Sequence, residues 1–210
     1  MQTASLDEVI ATEALERRVP RVCHPEAEAE AMQALKRVLA GSPRAVLQKL
    51  VDVALGLCDA QSAGVSLLEQ GSDGRRFFRW HAVAGEWAEL LWTTLPREFS
   101  PCGAVLDRRE ALLMIDPERH YAPLGTVQPH VNEVLLVPFA ARGETVGTVW
   151  VVAHDPARQF DREDRRIVGE LTVFAAAAYE RLLSFGAEDI RELSRMHLVP
   201  DVLRRDNGQK

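Results

Sequence analysis

The chain has 210 residues, 47% hydrophobic and 27% charged, a composition that excludes a disordered or fibrous protein and fits one domain of about 150 residues with helical extensions. Its net charge of -6 gives no broad cationic surface, so neither a nucleic-acid partner nor an anionic membrane partner is expected. Because no apolar stretch approaches the ~20 residues of a membrane span, no signal peptide is recognisable and the three cysteines are widely spaced, we expect a cytoplasmic protein without a disulfide framework.

The N-terminal part of the chain predicts helices. Residues 5–8 form a capping box, which begins a first helix with a modest apolar stripe that ends at Val19. After a linker, residues 26–40 place apolar side chains at helical spacing and predict a second helix. Ser42 then marks the N-cap of a third helix, and the continuous apolar face at residues 47–58 should pack on a sheet.

The apolar pattern then changes from helical spacing to the alternation that is typical of strands. Two strands are predicted over residues 64–68 and 76–83, with a polar turn between them. Later in the chain, two apolar segments at 133–140 and 145–154 are joined by a short polar turn, in which Gly143 can adopt a positive φ. Because both segments are rich in Val and Leu, we expect this hairpin near the centre of a sheet.

A long amphipathic helix is predicted over residues 162–183. Asp161 is its expected N-cap, and its apolar side chains recur at the i, i+3/i+4, i+7 spacing. The alanines at 175–178 permit the close approach of another helix. A shorter helix is predicted over residues 188–197, before a polar C-terminal end.

The order of these elements and the sequence of several segments resemble a GAF domain over residues 43–183. GAF domains are a bacterial sensory fold found N-terminal in sensor histidine kinases. The segments that carry the resemblance are residues 63–68, 100–103, 134–139, 147–154 and 160–164. The resemblance implies an α+β fold with a central antiparallel sheet of five to six strands, N- and C-terminal helices on one face and a ligand pocket on the other. We accordingly divide the chain into an N-terminal helical extension at 1–41, a GAF domain at 42–184 and a C-terminal helical tail at 185–210.

Residues 99–132 mix aromatic, thiol, acidic and imidazole side chains in irregular segments, as expected of loops that cover a cavity. The candidate pocket residues are Trp80, Phe99, Cys102, Asp116, His120, Tyr121 and Trp150. Each also has a structural interpretation. Cys102 fits a small packing residue unless a helix N-terminus favours its thiolate, and Asp116 fits the cap of a short helix. His120 and Tyr121 fit the edge of the domain, and Trp150 fits the core.

Catalysis finds little support in the sequence. A glycine-rich phosphate loop, a nucleophile elbow and a metal-binding helix motif are all missing, and the histidines do not recur at metal-ligand spacing. We therefore assign no catalytic residue, no metal and no cofactor. Two alternatives stay open. Cys102 would serve a thiol-based redox sensor or a reductase like the GAF-related free methionine sulfoxide reductases, and Cys23 or Cys102 would attach a bilin in a photoreceptor.

The leading hypothesis is a non-catalytic sensor in bacterial signal transduction that binds a small molecule of unknown identity. In this hypothesis the helices at 26–40 and 162–183 pair between the two subunits of a homodimer. Movement of the segment at 99–132 on ligand binding would bias that pairing, and a histidine kinase or another output protein would receive the signal.

Overall fold

The computed structural model of the chain describes residues 4–22 and 24–184. The predicted C-terminal tail, with its helix at 188–197, lies outside the described residues, as does Cys23. The described part has an α+β fold around one curled antiparallel sheet, and the predicted fold class is confirmed. The strands are β1 (Ser62–Gln70), β2 (Arg76–Gly85), β3 (Thr94–Pro96), β4 (Leu112–Ile115), β5 (Glu133–Ala141) and β6 (Glu144–Ala153). They follow the order β3-β2-β1-β6-β5-β4 across the sheet.

The hairpin of β5 and β6 forms as its sequence predicts. Arg142 and Gly143 both have a positive φ, of 54° and 84°, and this pair of left-handed residues suits the right-handed twist of the two strands. β6 pairs with β1 on its other side, so this strand lies at the centre of the sheet.

One face of the sheet is covered by helices. α4 (Pro43–Leu57) and α6 (Arg162–Ser184) pack against each other and against the strands, while α3 (Pro25–Val38) packs on α4. The Ser42 hydroxyl caps α4 by accepting from the Ala45 N–H at 3.2 Å. The Asp161 carboxylate caps α6 by accepting from the Glu163 N–H at 2.7 Å. Within the described residues, none of the helices has both the length and the apolar character that a membrane span requires.

The opposite face of the sheet lies under α5 (Pro101–Arg108) and irregular segments with short 3₁₀ turns. We call these segments, residues 97–110 and 116–132 with α5 included, the cover. Alternate residues of β6 divide between the two layers, as the period of a strand requires. Val149, Val151 and Ala153 pack in the helix layer. Trp150 and Val152 pack in the layer under the cover.

The helix predicted from residue 5 to Val19 is wrong in extent. Two single turns form instead, α1 (Leu6–Val9) and α2 (Ala14–Arg17), and Ile10 between them bridges to Met114 of β4. The Ala11 N–H donates to the Leu113 carbonyl at 2.8 Å. The physical reason is that β4 is an edge strand with unpaired backbone groups, which this segment satisfies in place of its own helical hydrogen bonds.

Residues 4–22, which we call the strap, connect the two layers of the fold. At their start, the Ala4 N–H donates to the Arg119 carbonyl of the cover at 2.9 Å. At their end, the Arg21 N–H donates to the Asp161 carboxylate at the start of α6 at 2.7 Å. The strap therefore runs from the cover, across the edge of β4, to the N-terminus of α6.

Candidate functional site

A cavity lies between the sheet and the cover. Its wall is made mostly of apolar side chains from the sheet, the cover and the segment after β2, among them Trp80, Trp87, Cys102, Val131, Leu136 and Trp150. Its volume is about 30 Å³. A buried water needs at least ~10–15 Å³ measured in this way, so the cavity has room for about two water molecules.

Three tryptophans dominate this wall, and we call Trp80, Trp87 and Trp150 the tryptophan cluster. The Trp80 and Trp87 rings are stacked, with centroids 5.5 Å apart and planes inclined by 15°. The Trp150 ring lies 5.1 Å from Trp80 and 6.0 Å from Trp87, tilted to both. These distances and angles are those of favourable aromatic pairs, so the rings hold one another in place.

Trp150 has its place because β1 provides a gap for it. A Cβ atom on Gly64 would lie 2.1 Å from Cζ2 of Trp150, so only glycine leaves the indole room to cross this strand. The Trp150 Nε1–H donates to the Ser66 hydroxyl, two residues further along β1, at 2.9 Å. Both contacts fix the indole against the sheet.

Trp87 was not predicted as a site residue. It follows Gly85, the last residue of β2, which has a φ of 81°. The Trp87 backbone N–H donates to the Ser62 hydroxyl at 3.1 Å, and its indole Nε1–H donates to the Pro129 carbonyl at 3.2 Å. A tryptophan two residues after a glycine that ends a strand is the only sequence signal for it, and that signal does not place the ring in a cavity.

The predicted site residues divide into three groups. Trp80, Cys102 and Trp150 line the cavity. Tyr121 is 4% exposed and packs in the same apolar layer, away from the cavity wall. Phe99, Asp116 and His120 lie outside the cavity wall, and the structure does not bring them together with the tryptophan cluster.

Those three outer residues belong to the cover. Phe99 is 57% exposed at the end of a 3₁₀ turn. Asp116 occupies the N-cap position of the turn Pro117–Arg119, where its backbone carbonyl accepts from the Arg119 N–H at 3.0 Å. His120 forms a hydrogen bond between its Nδ1 and the Ala4 carbonyl of the strap at 2.8 Å.

Cys102 lies in the first turn of α5, but its surroundings do not favour a thiolate. Burial raises the pKa of its thiol above the ordinary value, and the hydrogen bond that the Thr148 hydroxyl donates to Sγ at 3.1 Å offsets this only in part. Cys58 is also buried, in the helix layer on the other face of the sheet. The sheet therefore separates the two free cysteines of the described residues.

We expect Cys102 of the folded chain to react with iodoacetamide at pH 8 at least about 100-fold more slowly than in the urea-unfolded chain. A neutral, buried thiol reacts only after local opening of the fold. Quenched alkylation followed by peptide mass spectrometry measures both rates, with Cys58 as the internal reference for a buried thiol. Rapid modification of Cys102 in native buffer would contradict this assignment and favour the redox alternative.

The cavity wall suits an uncharged guest. None of its described residues is charged, and the indole N–H groups of Trp87 and Trp150 already have acceptors. Among the described residues, no group of three or more His, Cys, Asp or Glu side chains is placed to hold a metal ion.

A second cavity of about 130 Å³ lies in the helix layer, and it has a more polar wall. Arg21 and Glu28 line it. Arg21 pairs with Asp164 at 2.9 Å, and Glu28 pairs with Arg166 at 2.7 Å. Because these ion pairs connect the strap and α3 to α6, we interpret this cavity as a crevice of the scaffold.

The comparisons with known proteins agree with this architecture. The family model of the GAF domain matches residues 40–180. The GAF domain of a phosphoenolpyruvate-protein phosphotransferase from Acinetobacter superposes with a TM-score of 0.65 at 18% identity, over 79% of this chain and 97% of that one. The corresponding domain from Coxiella burnetii gives a TM-score of 0.64 at 16% identity, over 79% and 99% of the two chains.

An enzyme of the same fold is also similar. The free methionine-R-sulfoxide reductase from Neisseria meningitidis, in complex with its substrate, gives a TM-score of 0.56 at 18% identity, over 78% of this chain and 95% of that one. No curated protein matches the sequence. At these identities the structural likeness shows the fold alone. Because the family match spans well over half of the sequence, the chain belongs to the GAF domain family, a sensory and regulatory fold.

Proposed function

We propose that this GAF domain is a non-catalytic sensory module whose ligand is a small, uncharged, largely apolar molecule. The observation that carries the proposal is the apolar, tryptophan-lined cavity between the sheet and the cover. Its position fits such a role, because a rigid strand supplies one wall while irregular segments that can adapt supply the other. A charged ligand would lose its hydration in this wall without gaining a partner.

The test compares the unmodified chain with two phenylalanine variants. Val131→Phe fills the cavity from the cover, and Val19→Phe makes the same change at a site that is 90% exposed. We expect native mass spectra of the freshly purified chain and of Val19→Phe to contain a retained small molecule, and Val131→Phe to lack it. The same guest in Val131→Phe, or no guest in any of the three chains, would contradict the proposal.

We further propose that the signal passes through a homodimer formed along α6. Val173 is 68% exposed and Leu183 is 41% exposed on this helix, and the alanines at 176 and 177 lie beside Val173. A two-fold axis through this stripe would bring Val173 next to its own copy, which is the usual geometry of a symmetric dimer. The apolar face of α3 is instead used within the chain, since Leu35 is fully buried there. Support for the dimer therefore comes from α6, which would also contact an output protein, of which a histidine kinase is one class.

We expect Val173→Glu to convert this dimer into a monomer, because two carboxylates would face each other in an apolar contact. Light scattering after size exclusion should show the molar mass fall from twice to once the chain mass. Val19→Glu places the same charge on the strap, and we expect it to leave the mass unchanged. A monomer for the unmodified chain at every concentration, or a dimer that persists in Val173→Glu, would contradict pairing along α6.

The thiol-based redox and bilin alternatives receive less support. The sheet lies between Cys58 and Cys102, so these two residues cannot form a disulfide without disruption of the fold. Cys23 lies outside the described residues. A covalent adduct or an oxidised cysteine in the native mass spectra would favour these alternatives.

A further inference from the structure

The cavity is too small for an organic guest as it stands. A cavity of roughly 150 Å³ accepts benzene, whereas this one measures about 30 Å³. A guest therefore requires one of the lining side chains to leave its place.

Among the three tryptophans that line the cavity, Trp87 is the one that lies outside the strands. Trp80 and Trp150 belong to β2 and β6, and Cys102 belongs to α5. Trp87 lies between the end of β2 and a three-residue 3₁₀ turn, Ala88–Leu90. A change of backbone angles at this junction would move its indole without breaking a strand pair.

The place that the Trp87 indole occupies has a definite chemistry. One side is the ring of Trp80, in a nearly parallel stack at 5.5 Å. The rings of Trp150 and His154 lie at 6.0 Å and 5.1 Å, tilted to the indole. At the rim, the Pro129 carbonyl accepts one hydrogen bond from the indole N–H at 3.2 Å.

We propose that Trp87 is a plug, and that the ligand is a planar aromatic molecule with a single N–H or O–H donor that takes the place of its indole. The guest stacks on Trp80 and donates to the Pro129 carbonyl, so it restores the contacts that the departing indole loses. This inference rests on the proposed sensory function and adds to it the class of ligand and the residue that competes with it.

Ser62 holds the plug from outside the cavity. Its hydroxyl accepts from the Trp87 backbone N–H at 3.1 Å and forms a second hydrogen bond with His154 Nε2 at 2.8 Å. His154 Nδ1 lies 2.6 Å from the His130 carbonyl. Because a carbonyl only accepts, Nδ1 carries a proton, and Nε2 of the neutral ring is free to accept from the Ser62 hydroxyl.

The apparent affinity for a ligand falls as the population of the plugged state rises. A substitution that loosens the plug should therefore raise this affinity. The probe is 5-fluoroindole, titrated into the full chain and followed by ¹⁹F NMR. We expect binding to the unmodified chain, binding at least about tenfold tighter to Trp87→Ala, and binding about threefold or more tighter to Ser62→Ala. Trp87→Phe, with a smaller ring, is measured alongside and should lie between the unmodified chain and Trp87→Ala.

The matched control is Ser66→Ala, the same substitution on the same strand. Ser66 is also fully buried and also bonds a cavity tryptophan, but its partner is the wall residue Trp150. We expect Ser66→Ala to bind 5-fluoroindole no more tightly than the unmodified chain. Equal strengthening by Ser62→Ala and Ser66→Ala would mean general loosening of the fold and would overturn the plug.

The indole ¹⁵N–H signals give a readout that a simple cavity would not produce. On addition of 5-fluoroindole to the unmodified chain, the Trp87 signal should shift most and exchange faster with water, while the Trp150 signal stays protected. If Trp87→Ala binds 5-fluoroindole and the unmodified chain does not, the probe only fills the cavity that the substitution creates. That result would contradict the proposal that Trp87 is a plug. If no variant binds the probe while native mass spectra show a guest that Val131→Phe loses, the plug fails and the proposed sensory function stands.

Discussion

We expect replacement of Arg18 by methionine to lower the free energy of unfolding by about 3–5 kcal/mol, the usual loss when one partner of a buried ion pair is removed. The Arg18 guanidinium contacts both carboxylate oxygens of Glu133, at 2.6 Å and 2.9 Å. Glu133 is only 2% exposed, and its carboxylate also accepts from the Phe160 N–H at 3.0 Å. Without Arg18 this buried charge keeps one donor and loses its counter-ion.

The neighbouring arginine supplies the control. Arg17 pairs with Glu13 at 3.3 Å, and both side chains are largely exposed. Arg17→Met should therefore change the free energy of unfolding by less than about 1 kcal/mol. Urea denaturation followed by tryptophan fluorescence measures both variants. If the two substitutions lower the free energy of unfolding by the same amount, the ion pair of Arg18 with Glu133 does not stabilise the fold. The strap then does not contribute to stability through this pair.

The double variant Arg18→Met with Glu133→Leu distinguishes two contributions to the loss of stability. One is the loss of the ion pair itself, and the other is the cost of leaving the Glu133 carboxylate buried without a counter-ion. The double variant removes both ions, so it should be less destabilised than Arg18→Met alone. A loss equal to the sum of the single substitutions would contradict a direct interaction between these residues.

The strap that carries Arg18 also connects the cover to α6. It binds the cover at Ala4, runs along the edge of β4 and reaches the first turn of α6 through Arg21 and Asp161. Any displacement of the cover by a ligand therefore acts on a segment that is also attached to α6. Under the proposed sensory function, two states of the cover would bias the position of that helix.

Local signals explain which elements were predictable. The β5–β6 hairpin needs only two apolar segments and a turn in which Gly143 can be left-handed, and both lie within a short stretch of sequence. α6 likewise needs its own apolar spacing and the cap at Asp161. The prediction of one continuous first helix failed because Ile10 pairs with Met114, a residue far away in the sequence. Pairing with an edge strand overrides the local helix propensity, and nothing in the sequence of the segment itself indicates this pairing.

The candidate site shows the same division. Trp80 and Trp150 could be named as candidates because alternation along a strand limits each to one of two faces, although the alternation does not say which face carries the cavity. The raised pKa of the Cys102 thiol was not predictable, since it comes from burial in the folded chain, which the hydrogen bond from Thr148 offsets only in part. Trp87 was missed for a related reason. Its place depends on Ser62 and Pro129, which are distant in the sequence and meet it only in the folded chain.

Gly64→Ala is the second substitution for which we expect a large effect, a destabilisation of about 1–3 kcal/mol from overpacking. The new Cβ would lie 2.1 Å, 2.5 Å and 2.6 Å from three ring atoms of Trp150. The indole cannot retreat freely, because Trp80 lies 5.1 Å away and the Nε1–H is bonded to Ser66 at 2.9 Å. The tryptophan cluster must therefore rearrange, and the cavity must change with it.

Three further variants, Gly169→Ala, Trp150→Leu and the double variant Gly64→Ala with Trp150→Leu, decide whether this contact is the cause. Gly169→Ala in α6 has open space around the new Cβ, so the same substitution should raise stability there by up to about 1 kcal/mol. Combining Gly64→Ala with Trp150→Leu, which removes the opposing ring, should cost less than the sum of the two single changes. Urea denaturation measures the free energy of unfolding of the four variants and of the unmodified chain. Additive losses would show that Gly64 is required by the backbone of β1 and not by the indole, and the candidate site would then lose the feature that sets the position of its central tryptophan.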